Sequence, residues 1–266
     1  MTFFDRVTSL VKPVPGVLAP VQGEPVSEPE EEELQLTLVE HLDELRRRLI
    51  IIVLGLAIGT AVAFALTPTL FQWLLMPAPA VIHQKGLVFT EPTEAFLTYF
   101  QVSLYAGIGL SMPLTVFQIL AYVVPALTRR ERRLLYLFAP LVGVFFLIGV
   151  AFGFYVTLPF ALRYLLDFTI GDVLTPFITV GSYIGFVTTI LFWMGLAFET
   201  PIIILFLSKI GLVNTRRLSA YRKYAILIAF VIAAVITPTP DPVNQALVAI
   251  PLWILYELGI VLARFT

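Results

Sequence analysis

An apolar run from Ile178 to Ser208, interrupted by a single ionisable residue, Glu199, constrains this chain more than any other feature. A run of that length crosses a bilayer as one helix. A charge set about ten residues inside such a helix costs on the order of 2.5–3.5 kcal/mol on insertion scales, so Glu199 reads as functional. The plainer alternative is a side chain that hydrogen-bonds a neighbouring helix.

Composition carries the point to the whole chain. It is 59% hydrophobic and 13% charged, with a mean hydropathy of +0.93, which places it among polytopic all-α membrane proteins. There is no cysteine, which excludes disulfides, thiolate metal sites and a cysteine nucleophile. The two histidines, His41 and His83, lie outside the apolar runs, so neither a metal centre nor any other cofactor is expected. The serines Ser103, Ser111 and Ser182 have no intramembrane His or Lys to activate them, and an enzyme is not expected. A net charge of −1 offers no basic footprint for nucleic acid.

Six apolar segments are expected to span: Leu49–Leu66, Ala95–Leu127, Leu134–Leu158, Ile178–Ser208, Tyr224–Ile236 and Val243–Ala263. Pro113 predicts a bend in the second. Pro201 removes the hydrogen bond to the Ala197 carbonyl and predicts a kink in the fourth, giving a concave bundle with Glu199 on its inner face. The fifth and sixth are short, which thins a bilayer locally, and by length alone the fifth reads equally as a re-entrant segment. Before Leu36, five prolines and the acidic run Glu30–Glu33 predict a disordered tail, residues 1–35, ahead of a membrane domain, residues 36–266.

Orientation follows from basic residues. Arg46, Arg47 and Arg48 precede the first segment, and Arg129, Arg130, Arg132 and Arg133 follow the second. Lys209, Arg216, Arg217, Arg222 and Lys223 follow the fourth, Arg264 follows the sixth, and only Lys85 and Arg163 fall on the other side. The positive-inside rule then puts both termini in the cytoplasm.

Two carboxylates sit among those arginines. In HLDELRRRL, Glu44 and Arg48 are four residues apart on one helix face, and in TRRERR, Glu131 lies between two arginine pairs. Each alone reads as a solvated salt bridge of small worth. Together at one membrane face they are suited to accept guanidinium groups bidentately. A secondary transporter using Glu199 as a substrate or proton site is the alternative, although two halves with matching broken helices are not evident.

HLDELRRRL, VVPALTRRERRL, FETP, TPTPDPVNQ and AIPLWILYELGIVLARF occur in this order between Leu36 and Phe265, and in them the chain resembles TatC, the multispanning receptor of the twin-arginine protein translocase. The resemblance implies a subunit of the cytoplasmic (inner) membrane that binds Arg-Arg signal peptides of folded cargo. It also implies recruitment of the single-span partners TatA and TatB for export driven by the protonmotive force, in assemblies holding several TatC copies. By the same resemblance Glu44 and Glu131 match the signal-binding glutamates, with Arg46, Arg48 and Tyr122 beside them. Pro77 matches a proline of the first external loop, and Glu199 an intramembrane glutamate. Gln245 matches a partner-contact residue, and either Thr237 or Thr239 a second one. Asp43, TPTPD in place of TPPD, and the longer acidic tail depart from the family pattern.

Overall fold

The computed structural model describes residues 29–78, 86–123, 129–167, 177–237 and 241–265, with the side chains of 29–39, 123, 129–137 and 167 left aside. Among the described residues nine α-helices follow in order: α1 Pro29–Leu75, α2 Glu94–Val123, α3 Arg129–Phe152, α4 Leu158–Asp167, α5 Val180–Phe198, α6 Thr200–Lys209, α7 Thr215–Ala220, α8 Arg222–Ile236 and α9 Pro242–Ala263. Among the described residues the only extended pairing is an isolated bridge between Val88 and Thr179. The chain divides into two compact units, Met1–Asp43 and Glu44–Thr266. In the first, the backbone is helical from Pro29, so the run Glu30–Glu33, expected in an unfolded tail, lies in the first turns of a helix.

The second unit holds the spans. Among the described residues five stretches are long and apolar enough to cross a membrane: Glu40–Leu75, Glu94–Tyr122, Phe138–Leu166, Val180–Lys209 and Pro242–Ala263. The fifth expected segment is α8, with 15 residues, about 22 Å of helix. As α9 advances from Gln245 to Glu257, its polar contact on α8 recedes from Phe230 to Arg222. That is the mark of antiparallel neighbours, and it lays α8 along α9 through the same slab.

In lipid no hydrophobic force drives helices together, so close packing of small residues and interhelical hydrogen bonds must. Helices α1 and α2 show both. A Cβ added to Gly107 would lie 2.4 Å from the Thr60 Cα, and one on Gly59 would lie 2.6 Å from the Gly107 carbonyl oxygen. Further along, the Thr67 and Ser103 hydroxyls meet at 2.7 Å. Pro68 leaves the Phe64 carbonyl without its helical donor, and the Tyr99 hydroxyl donates to that oxygen at 3.0 Å. At the opposite crossing, Gly149 of α3 would place a Cβ 2.5 Å from the Met194 carbonyl of α5.

The third segment runs further than expected. Leu134–Leu158 was expected to end at Leu158, but the helix continues to Asp167 through a π-turn, Gly153–Thr157. In it the Leu158 N–H donates to the Gly153 carbonyl. Pro159 follows directly, and the wider turn accommodates a residue that has no N–H to give and whose ring crowds the preceding turn. The second segment is helical through Pro113 to Val123. The fourth breaks where Pro201 predicts, with Glu199 standing between α5 and α6.

Candidate functional site

The basic end of the bundle holds the first site. Helical spacing puts Glu44 and Arg48 on one face of α1, and Arg48 closes on Glu44 through Nε at 2.9 Å and through Nη2 onto the same oxygen, Oε1. Its remaining amino group, Nη1, donates to Oε1 of Gln118 on α2 at 3.1 Å. Gln118 is buried while Glu44 keeps 37% of its side chain exposed. A carboxylate at this place therefore already binds a guanidinium, through two donors on one of its oxygens.

Tyr122 lies one turn beyond Gln118 on the same face of α2 and is half-buried. Arg46 is exposed. Glu131 falls in the first turn of α3, and its side chain lies outside the described residues, so the pairing of Glu44 with Glu131 stays an expectation. Gln118 escaped the sequence reading. The signal that points to it is its standing as the lone amide in the apolar stretch Gly107–Leu127.

Glu199 forms the second site. It is fully buried, and neither carboxylate oxygen has a hydrogen-bond partner among the described residues. Its backbone N–H donates to the Leu196 carbonyl at 3.2 Å and its own carbonyl accepts from Ile203 at 2.9 Å. The peptide chain is thus satisfied across the Pro201 break while the side chain is not. A buried polar group without a partner costs a few kcal/mol, so this position calls for a donor beyond the described residues.

The third group gathers at the other end of α8 and α9. Gln245 donates from Nε2 to the Phe230 carbonyl at 2.9 Å. The buried Thr237 hydroxyl donates back to the Ala233 carbonyl at 2.8 Å. Thr239 lies outside the described residues. Glu257, read as a hydrogen-bonding group between helices, forms an ion pair with Arg222 at 2.8 Å, back at the basic end of the same two helices. Pro77 lies in the turn closing α1, where Ala78 donates to the Leu75 carbonyl at 3.1 Å.

Near that same end Glu94, absent from the sequence reading, accepts from the Thr90 and Gly181 amides, both at 2.8 Å, and from the Thr90 hydroxyl at 3.2 Å. It joins the start of α2 to the start of α5. Its partner at position 181 is distant in sequence, so no local pattern exposes it.

Residues 40–251 match the family described as Sec-independent protein translocase protein (TatC). A protein of that name from Carboxydothermus hydrogenoformans is 38% identical over 234 residues, covering 88% of this chain and 95% of the relative. Another from Deinococcus radiodurans is 39% identical over 262 residues, covering 97% of this chain and 94% of the relative. The chain belongs to the TatC family. Two crystal structures titled Twin Arginine Translocase Receptor TatC, the second in DDM, superpose with TM-scores of 0.74 and 0.75. Both are 36% identical; the first covers 85% of this chain and 98% of its own, the second 84% and 99%. As a TatC protein, the chain is a polytopic helical membrane subunit of the Sec-independent protein translocase and not an enzyme. That membership displaces the secondary-transporter alternative.

Proposed function

We propose that this chain is the receptor and core subunit of a twin-arginine translocase, binding Arg-Arg signal peptides of folded cargo at the cytoplasmic face. The observation that carries the reading is the guanidinium of Arg48 seated on Glu44 at the basic end of the bundle. A carboxylate that holds one guanidinium there offers the chemistry needed for another, with Glu131 supplying the second anion. In this reading Arg46, Arg48 and Tyr122 line the binding surface. The arginine asymmetry supports placing that surface and both termini in the cytoplasm, in the inner membrane.

Partner contact belongs elsewhere on the chain. Glu199, buried without a donor among the described residues, offers a polar contact to a partner helix or to a deeply inserted signal peptide. Gln245, with Thr237 or Thr239, offers a second contact to the single-span subunits TatA and TatB, which would be recruited for export driven by the protonmotive force. The assembly would hold several copies of this chain.

Crosslinking of signal peptides in native membranes tests the reading. Glu44→Gln and Glu131→Gln should each lower the yield with an Arg-Arg peptide about tenfold, the cost of a charge-assisted hydrogen bond. A Lys-Lys peptide should crosslink poorly to the unaltered chain. Equal capture of both peptides by the unaltered chain would rule the reading out.

A further inference from the structure

Gln118 is a buried amide spent on one contact that the apolar helix around it does not require. It stands on α2 with 9% exposure and accepts from Arg48 of α1, seventy residues earlier in the chain, at 3.1 Å. The guanidinium is gripped along both edges: Nη1 by Gln118, and Nε with Nη2 by Oε1 of Glu44. Among the described residues Glu44 meets Arg48 through Oε1 alone, and its side chain is more exposed than that of Arg48, 37% against 22%. One carboxylate oxygen is committed, and the other accepts no hydrogen bond among the described residues.

We propose that Gln118 is a positioning residue for signal-peptide recognition: it fixes Arg48, and Arg48 fixes the plane in which Glu44 presents its second oxygen. The proposal rests on Glu44 being a signal contact, as argued above. An arginine side chain carries substantial rotamer freedom, and a single carboxylate on an exposed helix face holds it weakly. The buried Gln118 removes that freedom from one side. A carboxylate held in one plane favours a planar fork of donors, whereas a hydrated ammonium gains little from the direction of its acceptor. Gln118 thereby sharpens the preference for Arg over Lys without touching the peptide.

The test measures the affinity of labelled Arg-Arg and Lys-Lys signal peptides for the purified full chain in nanodiscs. Gln118→Leu should weaken the Arg-Arg peptide on the order of tenfold, the worth of one hydrogen bond to a charged group. It should leave the Lys-Lys peptide nearly unchanged, so the ratio between the two shrinks. Gln118→Glu keeps an acceptor at the same reach and should retain the ratio. Arg48→Lys, which cannot bridge both partners, should match Gln118→Leu, and the double variant should lose no more than either single.

If Gln118→Leu does not yield folded protein, Gln118→Asn withdraws the acceptor by one methylene, keeps the polarity, and should reduce the ratio in the same way. An unchanged ratio in the folded variant, a Gln118→Glu chain as poor as Gln118→Leu, or additive losses would each overturn the proposal. Glu44→Gln separates the two failures. If it abolishes binding while the Gln118 variants bind normally, only the positioning role falls; if it too binds normally, the receptor reading falls.

Discussion

Glu199 sits about 15 Å from the inner end of its span, counting back to Lys209, too deep for a glutamate to reach the surface. It cannot share the arginine-reading work of Glu44. Glu199→Ala should therefore impair export and assembly with partner helices while leaving surface capture of an Arg-Arg peptide within about twofold, the scale of an uninvolved residue. Glu199→Gln keeps a donor and an acceptor and should restore much of the export. Export assayed in cells beside peptide crosslinking decides this, and full export by the alanine variant would leave the residue a purely structural role. The local pairs were legible in the sequence because their geometry is local. Glu44 and Arg48 meet by helix periodicity, and Pro201 marks its own break. Gln118 and Glu94 were not, because their partners stand far along the chain and are chosen by packing.

Helices α1 and α2 are joined along a seam in which the backbone of Gly107 lies directly against Gly59 and Thr60. Because the obstacle at Gly107 is backbone and not a flexible side chain, no rotamer change relieves an added Cβ. Gly107→Leu should push the helices apart and cost about 1–3 kcal/mol, the range for overpacking, seen as a lower melting temperature in detergent. The same displacement would draw Gln118 away from Arg48, so peptide binding should fall as well. A variant that melts and binds like the unaltered chain would mean that the seam is not tight in solution. At this scale the sequence was read well for existence and poorly for extent. Pro159 and Arg163 look like the end of a span, and only the π-turn shows how a helix passes them.

The arrangement of the whole molecule in the membrane can be tested because the chain has no cysteine. Single cysteines at Lys85, Arg163 and Thr239 should all be labelled by an impermeant reagent from outside. Thr239 is preferable to the neighbouring Asp241, whose carboxylate caps α9 by accepting from the Asn244 amide at 2.7 Å. Protection of position 239 alone would make α8 and α9 a re-entrant pair and not two crossings. The six-segment pattern was readable from apolar length and charge, since the bilayer imposes both. The phase of each helix about its own axis was not. A π-turn takes up one residue more than an α-turn, so residues beyond Thr157 are turned by about 100° from where an unbroken helix would set them. The two halves of that span are thus indexed separately: Phe138, Val142 and Phe146 pack into one buried cluster, and Leu158, Ala161 and Leu162 into another. Removing one residue from Gly153–Thr157 would let an ordinary α-turn close there with both halves still facing their own clusters, whereas the same deletion elsewhere in the span would swing its far half by about 100° onto a new set of neighbours, so a change too small to alter topology would rewrite half of the packing.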